Sequence, residues 1–314
     1  MYRRRWILWL VILAIACLPP FFVNDYLQYI FNTILVYAVV SIGFNIVLGY
    51  AGQLAFANAA FFGVGAYATA IAMGRWGWPL LLALPFAALV TALVGLLVSL
   101  PALRLRAYYL AIVTLAFGEL LRWSYIHADW LTLGSSGLPV PTASLFGFSL
   151  ASERSRYWLF LSLTVLVLWG SANLLRSRFG RAIVAVRDNE AAASAMGIAP
   201  ALTKIGAFAW SGCVVGIGGG MFALLLGRIN PESFDLSQLL LHFTLVMIGG
   251  LGSLVGSVAG AILLTAAPEV LRNVAGLEEI VFSLLLIGVL LFMPKGLAGL
   301  LSRSRLLREQ LYLD

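Results

Sequence analysis

The chain has 314 residues, 62% of them hydrophobic and 11% charged, and its mean hydropathy is +0.99. A soluble domain is about 25% charged, so that class is excluded; with spans of about 20 apolar residues each, the length accommodates roughly eight to ten crossings and no large soluble domain. The formal net charge of +7 does not mark a nucleic-acid binder, because the basic residues cluster at the ends of apolar runs, as topology signals do.

Arg3, Arg4 and Arg5 precede the first apolar run, 6–23. They resemble the charged region of a signal peptide, and Ala14-Ile15-Ala16-Cys17 is a weak lipoprotein-like cleavage context. No soluble mature domain follows, and a first transmembrane helix behind cytoplasmic arginines explains the same residues. Further apolar runs cover 29–48, 54–73, 79–100, 108–126, 157–175, 205–226, 239–265 and 280–293. They are too long for strands and lack period-two alternation, which predicts helices. The expected fold class is an all-α polytopic membrane protein.

Positive residues set the expected orientation. The amino terminus, Arg104 with Arg106, the stretch 176–204, and the tail with Lys295, Arg303, Arg305 and Arg308 are placed in the cytoplasm. Asp25, Asp129, Glu153, Glu232 and Asp235 fall mostly outside. Two cytoplasmic termini need an even number of crossings, yet there are nine runs. A break in the run 239–265 at Gly249-Gly250-Leu251-Gly252-Ser253 resolves the parity, since glycine weakens a helix interior. Eight full spans plus one broken, re-entrant element are therefore expected. Gly49-Tyr50-Ala51-Gly52-Gln53-Leu54 echoes Gly249 to Leu254 in its two glycines and leucine. Chance and internal duplication both explain the match; paired glycine-interrupted segments in transporters point to a substrate path.

Among polar residues, Asn45, Gln53, Asn58 and Ser253 lie in apolar surroundings. Burying an unpaired amide costs roughly 1–3 kcal/mol, so Gln53 and Asn58 either bond between helices or line a translocation path. Glu119 and Arg122 stand one turn apart in an apolar run and can pair on one helix face. That pair is either an intrahelical ion pair near the outer interface or a gating or partner-subunit contact. Arg122 keeps Glu119 ionised, which argues against a proton carrier.

The stretch 177–197 is a charged, alanine-rich island between two apolar runs. A helix is expected from about residue 188 to 196, with Glu190 near its start, where a negative charge suits the helix dipole. Gly197 fits the stop, and Pro200 discourages continuation. Such a short helix either inserts into a groove of a soluble partner or is a solvated loop helix with topology arginines.

Cys17 and Cys213 are too few for a disulfide framework or zinc site, and His127 and His242 show no ligand spacing. The chain has no Gly-x-x-x-x-Gly-Lys-[Ser/Thr], His-Glu-x-x-His or Gly-x-Ser-x-Gly motif. No catalytic residues, metal site or cofactor of its own are expected.

With these residues in view, the chain resembles the permease subunits of bacterial ABC importers for branched-chain amino acids, specifically the M-type subunit. Four segments carry the resemblance, which extends over about 42–297. They are Gly49 to Leu54 leading into Phe61-Phe62-Gly63-Val64-Gly65-Ala66-Tyr67; Thr114 to Arg122 with Gly134-Ser135-Ser136-Gly137-Leu138; Gly180 to Gly197; and Met247 to Ser253. Ala55 and Asn58 stand where the family pattern usually has Ser and His.

The resemblance implies one transmembrane permease domain, 1–314, containing a cytoplasmic coupling segment, 176–204. It implies a multi-pass protein of the bacterial inner membrane that works with a second permease subunit, two cytoplasmic ATPases holding ATP and magnesium, and an extracytoplasmic binding protein. Arg181, Arg187, Asp188, Asn189, Glu190, Ala191, Ala192 and Gly197 would couple to the ATPase. Independently of the resemblance, the glycine echo and the amides and hydroxyls around it put Asn45, Gly49, Gly52, Gln53, Asn58, Gly249, Gly252 and Ser253 on the expected translocation path. Related permeases for urea, amides or sugars, and an ion-coupled secondary transporter, are the alternatives.

Overall fold

The computed structural model describes residues 17, 19–105, 107–145, 148–271 and 296–301. These are almost wholly helical, because a backbone in hydrocarbon must satisfy its own hydrogen bonds. Helix α1 (Asp25–Asn45) runs into a π-helical turn (Ile46–Tyr50). There follow α2 (Asn58–Gly74), α3 (Leu80–Ala102), α4 (Ala107–His127) and α5 (Glu153–Arg176). Two short helices, α6 (Arg178–Asp188) and α7 (Glu190–Ala195), lead to α8 (Pro200–Leu226), α9 (Leu236–Gly249) and α10 (Leu254–Leu271).

Four of these are long and apolar enough to cross a membrane: α1 with its π turn, α3, α5 and α8; α9 and α10 are shorter apolar helices. The expected spans 6–23 (apart from residue 17 and those from 19 on) and 280–293 lie outside the described residues, as do Arg3, Arg4, Arg5, Arg106, Lys295, Arg303, Arg305 and Arg308.

Two expected boundaries are corrected. The run 54–73 is not helical from its start: residues 51–57 are irregular and α2 begins at Asn58. Gly52, with φ +63°, takes a left-handed turn that glycine adopts without steric cost. At the other correction, Pro200 does not merely end a helix. It opens α8 as its first residue, where a missing N–H costs nothing.

α1 and α8 form the inner layer. In each, 72% of the most apolar window is buried, against 39% in α3 and 33% in α5. Glycines explain how α8 serves several neighbours at once. A Cβ on Gly216 would lie 2.5 Å from Thr91 Oγ1 of α3, one on Gly218 2.7 Å from Val40 Cγ2 of α1, and one on Gly219 would strike the Phe62 carbonyl of α2. Small residues allow such approach where lipid gives helices no hydrophobic reason to associate. On α3, by contrast, Leu89, Leu93 and Leu97 recur every four residues and are more than half exposed, a stripe suited to lipid.

α9 and α10 form a tight antiparallel hairpin. Gly249 faces Gly256, and Gly260 faces Leu245 and Gly249. At the end of the bundle opposite this turn, Leu138–Pro139 pairs antiparallel with Arg228–Ile229, tying the α4–α5 connection to the end of α8. There Arg156 binds Glu153 at 2.8 Å and donates to the carbonyls of Leu150 and Ala151. Asn32 of α1 donates to the Glu153 carboxylate at 2.8 Å.

Candidate functional site

The two sequence stretches that echo each other meet in space. Gly49, in the π turn of α1, is seated so closely on the α9–α10 turn that a Cβ there would collide with Asn45 Oδ1 and the Gly252 amide nitrogen. π turns recur at functional sites. Gly250 and Gly252 have φ of +116° and +74°, so the second turn, like the first at Gly52, is built on left-handed glycine.

Asn45 ties the two together from the end of α1. Its side-chain nitrogen reaches the carbonyls of Gly250 (3.2 Å) and Ser253 (3.0 Å) and Ser257 Oγ (2.7 Å). Its oxygen accepts from the Gly252 N–H at 2.9 Å. Asn45, Ser253 and Ser257 are fully buried, and Ser253 Oγ accepts from the Gly256 N–H at the start of α10, the capping geometry expected of serine. Asn45 thus spends its side chain on the α9–α10 turn, whereas the Ser253 hydroxyl caps its own helix and only its carbonyl meets Asn45.

From this knot the chain turns back into the bundle. The Phe56 N–H donates to Thr114 Oγ1 of α4 at 2.8 Å, and Asn58 lies 3.0 Å from His242 Nδ1. His242 stands seven residues before Gly249 on α9, so at 1.5 Å per residue the 50–57 segment climbs back about 10 Å from the glycine turns. Gln238 lies 3.0 Å from the other imidazole nitrogen and 3.4 Å from the Tyr37 hydroxyl. A chain of polar groups therefore links α1, α9 and α2 inside an aromatic surround, with Phe62 edge-on to His242 at 5.0 Å. Both amide nitrogens face the ring, Asn58 Nδ2 toward Nδ1 and Gln238 Nε2 toward Nε2, and the tautomer sets the direction of each bond. Among the described residues the Gln53 side chain has only a local contact, to the Ala51 carbonyl at 3.4 Å.

The charged island folds as two helices, not one. Ser177 Oγ caps α6 through the Phe179 and Gly180 amides, and Gly180, Ile183 and Val186 bury one face of it. Asp188 ends this helix instead of opening the next. Asn189 is the cap of α7, its Oδ1 accepting from the Ala192 N–H at 3.0 Å. The stop is a full Schellman motif: Gly197 has φ +82°, its N–H reaches the Ser194 carbonyl, and the Ile198 N–H reaches that of Ala193. Glu190 binds Lys204 of α8 with both oxygens, at 2.8 and 3.0 Å. The outer side of this region carries Ala191, Ala192 and Ala195, Met196 at 83% exposure and Leu202 at 68%. Arg181 donates to the Arg176 carbonyl at the end of α5. Arg187 leaves the island and donates from Nη1 to the Gly49 carbonyl at 3.2 Å.

Glu119 and Arg122 form the expected pair, at 2.9 Å. It lies on the outer side of α4 with Leu120 and Trp123, both 57% exposed.

Sequence reasoning missed the partners His242, Gln238, Lys204 and Ser257. Gln238 and His242 stand four apart on a largely apolar helix, a spacing that marks a shared polar face; Lys204 and Ser257 gave no such signal.

Broken helices around buried amide networks, with a two-helix island at one end, define a polytopic membrane protein of transport type. The chain belongs to the family of branched-chain amino acid transport system permease components, whose model matches residues 26–294. It is similar to the high-affinity branched-chain amino acid transport system permease protein LivM of Salmonella typhimurium, 31% identical over 92% of this chain and 73% of the relative. It is also similar to BraD of Pseudomonas aeruginosa, a permease protein of the same kind of system, at 28% identity over 88% and 97%. The autoinducer 2 import system permease protein LsrC of Escherichia coli is 29% identical over 73% and 68%. Comparison with solved structures found no match.

Proposed function

We propose that this chain is a membrane-spanning subunit of an ATP-binding-cassette importer that carries branched-chain amino acids across the bacterial inner membrane, with α7 as its docking helix. The supporting observation is that α7 is held from behind and bare in front. Its buried Ala193, the Glu190–Lys204 pair and the Schellman stop fix it against the bundle. Its outward side is small, with Met196 at its end and Leu202 of the first turn of α8 beside it, both exposed, which suits insertion into a groove of a soluble partner. In this reading α7 and both termini are cytoplasmic. Two ATPase subunits hold ATP and magnesium, a second permease subunit completes a heterodimer, and an extracytoplasmic binding protein delivers substrate. Their ATP-driven closure moves α7, and the path switches between outward- and inward-open states.

Two experiments test this. In the reconstituted complex, uptake of labelled leucine is expected to require ATP, to be competed by valine, and to be indifferent to ribose, urea and a proton ionophore. Competition by ribose without competition by valine would move the substrate to sugars. In the second experiment, Met196→Glu places a charge in the apolar contact and is expected to remove at least nine-tenths of the ATPase that copurifies. Full retention would show that the docking surface lies elsewhere.

A further inference from the structure

We propose that Arg187 is not an ATPase contact but the internal pin that carries movement of α7 to the glycine turns of the membrane path. The proposal rests on the reading of α7 as the docking helix.

Arg187 is the penultimate residue of α6, and a single residue, Asn189, separates α6 from α7. Asn189 is itself fixed as the α7 cap, so the joint has little slack. From there the arginine reaches across 138 positions of sequence. Its Nη1 donates to the Gly49 carbonyl at 3.2 Å, at a helix end where carbonyls lack internal donors and a cation is favoured. Nε and Nη2 are occupied by Asp188 Oδ1, at 3.0 and 2.9 Å. That grip orients the planar guanidinium and leaves Nη1 for Gly49, a division of labour that lysine's single ammonium cannot reproduce.

The path residues are shaped to receive it. A Cβ on Gly52 would lie 2.6 Å from Arg187 Cγ, and one on Gly252 3.7 Å from Nη1. The side chain therefore lies between the two left-handed turns, against both halves of the knot that Asn45 holds shut. The side chain is 37% exposed, yet its stem and Nη1 lie against the two glycine turns, a placement that a topology signal alone does not require. The contact is also short-ranged. A hydrogen bond of 3.2 Å is lost once the groups part by a few tenths of an ångström beyond 3.5 Å, so a small shift of α7 is enough to release the Gly49 carbonyl.

The test uses the full importer in proteoliposomes and reads uptake per ATP hydrolysed, a ratio that a merely stabilising residue does not change. Arg187→Ala is expected to keep the ATPase bound, to lower that ratio at least tenfold, and to leave hydrolysis unresponsive to loaded binding protein. Gly52→Ala, which pushes the arginine stem from its seat, is expected to do the same, and it carries the test if Arg187→Ala fails to insert. The double variant should be no worse than the more impaired single one within about twofold, because groups acting through one contact do not add. Loss of the ATPase from Arg187→Ala, an unchanged ratio in both single variants, or multiplicative effects in the double would each overturn the pin. Failure of the docking reading is visible separately, as full retention of the ATPase by Met196→Glu.

Discussion

Asn45→Leu is expected to destabilise the protein by about 2–4 kcal/mol and to abolish uptake. Leucine has the same branching but is larger, so no cavity opens and crowding at this fully buried position adds to the loss. What is lost are the contacts to the Gly250 and Ser253 carbonyls, Ser257 Oγ and the Gly252 N–H. A hydrogen bond contributes about 0.5–1.5 kcal/mol net, and measured averages between membrane helices are near the lower limit. The loss is expected to exceed the summed low estimate because the Gly252 N–H, buried with its turn, is left without an acceptor. Asn45→Asp keeps that acceptor but sets a buried carboxylate against the Gly250 and Ser253 carbonyls, and should be no more stable than the leucine variant. Unfolding midpoints of the three purified proteins check the order. A leucine variant as stable and as active as wild type would mean that the turns hold one another without Asn45.

Gly65→Leu should be more severe, with little folded protein recovered from the membrane. At this crossing of α2 and α8 an added Cβ would lie 2.5 Å from the Gly216 Cα. The obstacle is backbone, so no rotamer change relieves it, and the helices must separate by about an ångström along much of their contact. Overpacking costs about 1–3 kcal/mol when side chains can yield; here they cannot, and the cost should lie above that range. Gly77→Leu is the contrasting case. Gly77 has φ +66° with no atom within 4 Å of its added Cβ, so the penalty is the left-handed backbone alone, about 1–2 kcal/mol. The yield of monodisperse protein on size exclusion should separate the two clearly. Equal yields would refute the close crossing.

Much of this was legible along the chain. α1, α3, α5 and α8 announced themselves because apolar runs of that length have few other stable states in lipid. The break in 239–265 fell at its glycines for a local reason, backbone freedom. The island's stop at Gly197 was equally local. Errors arose where local signals had two readings. Pro200 can end one helix or open the next, and an apolar 54–57 leading into α2 looks helical unless one knows that Gly52 turns the chain and Thr114 takes the Phe56 amide. The island read as one helix because nothing in its composition shows that Asn189 turns outward to cap α7.

The sequence by itself determined a polytopic membrane protein, its glycine breaks, its charged island, and the demand of Asn58 for a buried partner. Tertiary structure decided which groups meet that demand: His242, 184 positions away, for Asn58; the Gly250–Ser257 stretch for Asn45; Lys204 for Glu190; and Gly49 for Arg187. The reason lies in the solvent. In water, apolar periodicity tells much of which face turns inward, but lipid is as apolar as leucine. Helices there select one another through close backbone approach and hydrogen bonds between remote segments, and neither is written in the run of residues that makes each helix.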